Sequence, residues 1–265
     1  MNEAELVLTH VLNCNRLSLY LNKDINLDRD KSEKLSLILK RRILGEPVQY
    51  ILGETEFMGL KFKVDKRVLI PRPETEILVE ASIGQLTQMG IASPKILDLC
   101  TGSGCIAVSI AKNINRSDIW ASDISASALR LAKENAVLNN VEIKFIQGDL
   151  FEARGFKNQK FDLIISNPPY VSTEEFNSLA KEIFFEPELA LKAGIDGLDF
   201  YRRIISQAAV YLNDNGWLIL EVGANQAYFV KQLLEKEGFE QVALIKDYNN
   251  IERITMAKKG LLKNG

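Results

Sequence analysis

Histidine is almost absent from this chain. His10 is the only one in 265 residues, which argues against a histidine-rich metal centre and against a serine–histidine nucleophile pair. Cysteine is scarce too. Cys14, Cys100 and Cys105 are odd in number and stand at no metal-type spacing with His10, so they read as free buried thiols in a reducing compartment, and no metal is expected. A basic excess is also missing: 33 Lys and Arg face 35 Asp and Glu, a net charge of −2. A protein held mainly by nucleic-acid phosphates needs a basic face, so direct nucleic-acid binding is not expected. No apolar run reaches the roughly 20 residues of a membrane span. The acidic opening MNEAELVLTH has no basic segment ahead of an apolar core, so neither a secretory signal nor a transit peptide is expected. The expectation is a cytoplasmic protein with no membrane contact.

The chain does have an ordinary globular share of apolar residues, 46% against 26% charged, enough for one large domain with a small one beside it. Leu6, Val7, Val11 and Leu12 recur at helical spacing, as do Leu35, Ile38, Leu39 and Ile43; Gly45 and Pro47 stop the last of these helices. From Glu54 to Val68 the period falls to two. Phe57, Leu60, Phe62 and Val64 alternate with polar residues around Gly59, which predicts a short β-hairpin or extended connector. Pro71 and Pro73 close it, and a helix pattern runs from Glu74 to Met89. Beyond Pro94, strand and helix alternate. KILDLC, DIWASD, VEIKFIQGD, FDLIISN, GWLILEVG, EQVALIKDY and RITMAKK read as strands. GCIAVSIAKNI, SASALRLAKENAVL, GLDFYRRIISQAAVYL and NQAYFVKQLLEKEG read as helices, the second capped by Ser125. Such alternation predicts an α/β, Rossmann-like, mostly parallel sheet covered on both faces.

Two segments carry chemistry. The first, Asp98-Leu99-Cys100-Thr101-Gly102-Ser103-Gly104-Cys105, follows an apolar strand and opens a helix. Its glycines let a ligand approach the backbone closely, at the strand ends where doubly wound sheets bind nucleotides. Gly102, Gly104 and Ala107 also fit the dinucleotide pattern G-x-G-x-x-A. Asp98, Asp123 and Asp149 stand at the ends of the first three strands. A strand-end acid is often only a helix cap. Three in succession beside a glycine loop favour an adenosine-containing ligand, with Asp123 placed for ribose hydroxyls.

The second segment, Asn167-Pro168-Pro169-Tyr170, directly follows FDLIIS. Prolines end strands, but a bare terminator gives no reason for Asn before them and Tyr after. The carboxamide oxygen of Asn167 and the carbonyl of Pro168 are acceptors suited to the two hydrogens of a planar NH2 group. The prolines fix φ and stiffen the frame, and Tyr170 offers a ring for a planar group or a developing cation.

At these residues the sequence resembles the release factor glutamine methyltransferases, the PrmC/HemK family. The resemblance covers nearly the whole chain. It rests on EPVQYILGETEFMGLKF, IPRPETEILVE, ILDLCTGSGCIAVSIA, SNPPY, and EPELAL followed by GIDGLDFYRRI. NPPY alone is shared with DNA adenine-N6 methyltransferases; the other segments are more specific. The resemblance implies a helical substrate-recognition domain at residues 1–52, a hairpin linker at 53–72 and a seven-stranded class I methyltransferase domain at 73–265. It implies S-adenosylmethionine as methyl donor and, as partner, a class 1 peptide chain release factor methylated on the glutamine of its Gly-Gly-Gln motif. Thr101, Gly102, Ser103, Gly104, Cys105 and Asp123 would hold the donor together with Asp98, Asp149 and Asn167. Leu150, where relatives often have an aromatic residue, would pack near the adenine. Asn167, Pro168, Pro169 and Tyr170 would hold the glutamine. Cys100 stands where the family often has Gly, a departure expected to matter little. Arg72, Glu74, Glu186 and Pro187 serve equally well as packing or as site residues. A ribosomal-protein glutamine methyltransferase, a DNA adenine-N6 methyltransferase and, from another reaction class, a nicotinamide-dependent oxidoreductase remain alternatives; the last leaves NPPY unexplained.

Overall fold

Four helices open the computed structural model, which describes residues 2–21 and 26–260. Met1 and residues 22–25 of the expected helical unit, and residues 261–265 of the expected sheet domain, lie outside the described residues. The helices are α1 (Glu3–Leu12), α2 (Arg16–Leu21), α3 (Arg29–Ile43) and α4 (Val48–Leu52). Asn2 caps α1 in a reciprocal box with Glu5, and the Asp28 carboxylate accepts the Lys31 N–H at the start of α3; both occupy donors a helix start leaves free. Val7, Val11, Ile38 and Val48 form a small core. The apolar face expected on α3 is only half used: Leu39 and Ile43 are 50% and 83% exposed. At 100° per residue, Ile43 lies about 140° around the helix from Ile38, beyond the reach of so small a core.

The hairpin follows as β1 (Glu54–Phe57) and β2 (Leu60–Lys63). Met58 and Gly59 both have positive φ, the geometry of a two-residue turn that suits strand twist. Phe57 and Phe62 pack edge to face and are buried in the core of the sheet domain, so the linker is anchored by aromatic burial. Helix α5 (Pro73–Met89) comes next, with Pro73 in its first turn, where no N–H is needed.

The rest alternates as the sequence predicts, apart from one short helix, α8, that it does not show: β3 (Lys95–Leu99), α6 (Cys105–Asn113), β4 (Asp118–Asp123), α7 (Ala126–Leu138), β5 (Lys144–Gln147), β6 (Phe161–Ser166), α8 (Thr173–Phe176), α9 (Asp199–Tyr211), β7 (Leu212–Glu221), α10 (Ala227–Lys236), β8 (Glu240–Lys246) and β9 (Glu252–Lys258). Seven strands form one sheet in the order β5-β4-β3-β6-β7-β9-β8. The first five run parallel; β9 pairs antiparallel with both β7 and β8. Alternate side chains fill opposite layers. Leu97, Leu99 and Ile164 pack with Phe161, Tyr201 and Leu218 on one face; Ile96, Leu163 and Ile165 pack with Leu78, Ile106 and Ile110 on the other. Both layers are buried, which is why the strands read as continuous apolar runs. Successive strands progress outward in opposite directions from β3 and β6, so the switch point lies between their carboxyl ends.

Candidate active site

A cavity of about 320 Å³ opens at that switch point. Of the residues singled out from sequence, Thr101, Gly102, Ser103, Cys105, Asp123, Asp149, Leu150, Asn167 and Pro169 line it. Asp98, Gly104, Pro168 and Tyr170 are not brought to its wall.

The β3–α6 loop is built from below. Asp98 is fully buried, and its Oδ2 accepts the Thr101 hydroxyl at 2.6 Å. Its Oδ1 has no partner among the described residues. Burial pushes this carboxyl up to about 7, so its place is under the loop. Gly104 takes φ +80, and a Cβ there would meet the Ala132 Cβ on α7 at 3.1 Å. Only glycine allows both the left-handed turn and the close helix. Cys100 also adopts a left-handed φ of 60°, so the departure from Gly noted in the sequence has a consequence after all: a side chain in a backbone region that disfavours one.

Asp123 ends β4 on the opposite side of the loop. Its carboxylate accepts the Gly102 N–H and the Ser125 N–H, each at 2.9 Å, and burial raises its pKa. The cap of α7 is Ser125, whose hydroxyl accepts the Ala128 N–H. Asp123 is therefore spared capping duty, and each of its oxygens keeps a lone pair for the cavity it lines. Asp149, after β5, is paired with Arg203 of α9 at 2.8 Å. Leu150 is 4% exposed with φ 49°, a second non-glycine residue held in the left-handed region at this wall.

Gly148 sets the position of both. A Cβ on it would lie 2.7 Å from the Ala153 Cα and closer still to its Cβ. Gly148→Ala must push the turn at 149–153 aside and is expected to cost about 1–3 kcal/mol, as overpacking does, measured in urea melts. Gly84→Ala on α5, whose Cβ would meet nothing within 4 Å, is the control, expected to gain about 0.5–1 kcal/mol from helix propensity.

Asn167 leaves β6 at the cavity wall. Its Nδ2 donates to the Thr75 hydroxyl at 3.2 Å, and that hydroxyl donates to Glu221 Oε2 at 2.7 Å. The Ser166 hydroxyl donates to the Leu99 carbonyl at 2.7 Å, clamping β6 to β3 just below. Tyr170 turns inward: its ring packs against the core, and burial pushes its hydroxyl up to about 12.

The outer wall joins two distant segments. Arg72 Nη2 donates to both oxygens of Glu186 at 2.8 Å. Arg72 lines the cavity, as do Pro187, Leu189 and Ala190. Burial raises the Glu186 pKa while Arg72 pulls it back. Thr75, Glu221, Phe200 and Arg203 were not found from sequence. One signal was available, the lone carboxylate in the buried apolar run GWLILEV.

Two family models match the chain, "Methyltransferase small domain" over residues 75–195 and "PrmC N-terminal domain" over residues 1–53. The chain is 41% identical over 261 residues to the release factor glutamine methyltransferase of Thermodesulfovibrio yellowstonii, covering 98% of this chain and 92% of that one. It is 40% identical over 263 residues to the enzyme of the same name from Fusobacterium nucleatum, covering 98% and 73%. Among solved structures, the T. thermophilus 16S rRNA N2 G1207 methyltransferase, bound to AdoMet and guanosine, matches with a TM-score of 0.59. That match covers 78% of this chain and 49% of the other at 18% identity, a likeness of fold.

Proposed function

This chain belongs to the family of release factor glutamine methyltransferases, and we propose that it methylates the side-chain nitrogen, N5, of the glutamine in the Gly-Gly-Gln motif of class 1 peptide chain release factors. The observation that carries this reading is the placement of Asn167 at the wall of the cavity formed by the glycine loop, Asp123 and Leu150. The cavity's volume falls within the ~300–1,000 Å³ of small-ligand sites.

The residues present fit S-adenosylmethionine. The lone pairs left on Asp123 suit ribose hydroxyls, Gly102 and Ser103 present backbone to the ligand, and Leu150 with Phe200 supplies an apolar wall for adenine. Phe200, also at the wall, makes up for the missing aromatic residue at 150. Asp98 and Gly104 act from behind, by shaping the loop. Bound there, the sulfonium supplies an electrophilic methyl group. An amide nitrogen is a poor nucleophile, and the frame's task is to hold it in line and accept its hydrogens as positive charge builds. Asn167 Oδ1 takes one N–H at the wall, and the Pro168 carbonyl, just outside the cavity lining, takes the other from a glutamine entering past it. Pro169 stiffens the turn, and Tyr170 anchors it in the core. With the donor bound in that frame, the nitrogen would take the methyl as the C–S electron pair stayed with sulfur, and one N–H proton would then leave to water.

Residues 1–52 form the recognition unit, 53–72 the linker and 73–265 the catalytic domain. The exposed Leu39, Ile43 and Leu44 offer the first unit an apolar face for the release factor. Among the described residues no helix is long and apolar enough to cross a membrane; a cytoplasmic site follows from the substrate. The test is transfer of labelled methyl from S-adenosylmethionine to purified class 1 release factor, beside a version with Glu for Gln in the motif. Label on the normal factor alone is expected. Label on both would move the site elsewhere, and label on neither would overturn the substrate.

A further inference from the structure

We propose that Thr75 and Glu221 are positioning residues that fix the side chain of Asn167 with its oxygen toward the cavity and its nitrogen in the wall. This rests on the reading of Asn167 as an acceptor for the substrate amide. A carboxamide has two ends of nearly equal size and opposite polarity. Turned one way, Asn167 offers an oxygen to the substrate's NH2 group; turned the other, it offers an NH2 group to an NH2 group. Asn167 itself contains nothing that chooses.

A hydroxyl alone does not choose either, because it both donates and accepts. The asymmetry comes from Glu221. An ionised carboxylate only accepts, so the Thr75 hydrogen is committed to Oε2 at 2.7 Å. The hydroxyl is left with lone pairs alone for Asn167, and Nδ2 donates to it at 3.2 Å. The polarity is passed in one direction: carboxylate, hydroxyl, amide nitrogen, leaving the amide oxygen for the cavity.

The placement suits this role. Thr75 and Glu221 are each 2% exposed, so water does not compete for the chain of donors. Ser166 and Leu220 are register partners in β6 and β7, which makes Asn167 and Glu221 the next residues along neighbouring strand ends. Thr75 closes the gap from the first turn of α5. The backbone of Glu221 is held as well: its carbonyl accepts the Tyr201 hydroxyl at 3.1 Å, and the next N–H, of Val222, donates to the Arg253 carbonyl at 2.7 Å.

A carboxylate here is costly, since Glu221 is 2% exposed between two apolar layers and its close partners are neutral. Burial pushes Glu221 up to about 7, opposed by the Thr75 hydrogen bond and, more weakly, by a direct one from the Asn167 amide, which favours the same orientation of Asn167. Glu74 of α5 adds repulsion, and Arg253 of β9 counters it. The neighbouring phenols of Tyr170 and Tyr201 are both raised by burial and stay neutral. Below pH 7, Glu221 gains a proton and becomes a possible donor. Thr75 is then free to turn its hydrogen toward Asn167, and the amide loses its fixed orientation.

The experiment compares Thr75→Val, Thr75→Ser, Glu221→Gln and Asn167→Ala, with turnover on release factor, binding of S-adenosylmethionine by calorimetry, and a pH profile. Thr75→Val and Glu221→Gln are expected to lower kcat at least about tenfold by loosening the near-attack geometry, with donor affinity within about twofold. Thr75→Ser should restore most of the rate. The fall in kcat on the acid side of pH 7 should disappear in Glu221→Gln. Full turnover in Thr75→Val while Asn167→Ala is crippled would overturn the relay and leave the reading of Asn167 standing. Equal loss in Thr75→Ser and Thr75→Val would also overturn it, as packing. An active Asn167→Ala would bring down the reading and the relay together. Should Glu221→Gln fail to fold, the Val and Ser variants of Thr75 decide.

Discussion

Asn167→Ala is expected to cut kcat by about 100–1,000-fold, the range for losing one preorganised group at the reacting centre, while the affinity for S-adenosylmethionine stays near that of the unaltered protein. The loss belongs in kcat because the demand on the oxygen grows along the reaction. In the ground state the glutamine amide is neutral, and its N–H bonds to water or to protein are of similar worth. As the methyl joins the nitrogen, positive charge gathers on the N–H groups and the bond to Oδ1 strengthens. An interaction made mainly in the transition state shows in turnover more than in KM. The contacts proposed for the donor lie elsewhere, on Asp123, Gly102 and Ser103, in a loop whose geometry comes from β3, β4 and α7. Truncating Asn167 also frees the Thr75 hydroxyl but leaves its bond to Glu221 intact, so little stability should be lost. Single-turnover kinetics with saturating donor, alongside a donor titration, check both halves. A parallel loss of donor affinity and rate would show that Asn167 serves the donor rather than the glutamine.

Much of this site was legible in the chain because its parts are local. The glycine loop, Asp123 with the Ser125 cap, and NPPY each join a strand end to the next element within a few residues, and hydrophobic period marks those joins. Positions were legible where side chains were not. Asp98 stands in a strand buried on both faces, so the acid lies under the loop. Tyr170 follows two prolines that turn the chain, and its ring finds the core. The contacts that escaped are those between distant segments: Thr75 meets Glu221 across 146 residues and Arg72 meets Glu186 across 114. No periodicity reports such a pair. The stretch 171–198 was opaque for another reason. It folds as one four-residue helix and short 3-10 turns, which need no repeating apolar pattern. On α3 the spacing was read correctly but the core it served was too small, so Leu39 and Ile43 face solvent.

Arg72→Ala is expected to cost about 3 kcal/mol of stability at pH 8, the lower end of the range for breaking a buried pair, because Arg72 is about one-third exposed. The loss arises on the carboxylate left behind. Glu186 is 4% exposed, and its pKa is already raised by burial, with Arg72 the largest opposing influence. Without the guanidinium the pKa rises further. A carboxyl whose folded pKa lies above its unfolded one binds more protons folded than unfolded between the two values, so stability falls as pH rises through that window. The variant should therefore regain stability in urea melts as pH drops from 8 toward 5, more steeply than the unaltered protein. Glu186→Gln in the Arg72→Ala background should recover most of the loss at pH 8 and flatten the extra pH slope, since a neutral amide no longer needs the cation. The two substitutions together still remove the tie between α5 and the 186–190 wall, and Leu189 and Ala190 line the cavity. Restored stability with weakened binding of S-adenosylmethionine would then separate what the ion pair does for the fold from what it does for the cavity. If Arg72→Ala loses no more stability at pH 8 than at pH 5, Glu186 is not the source, and the pair serves only to hold the wall.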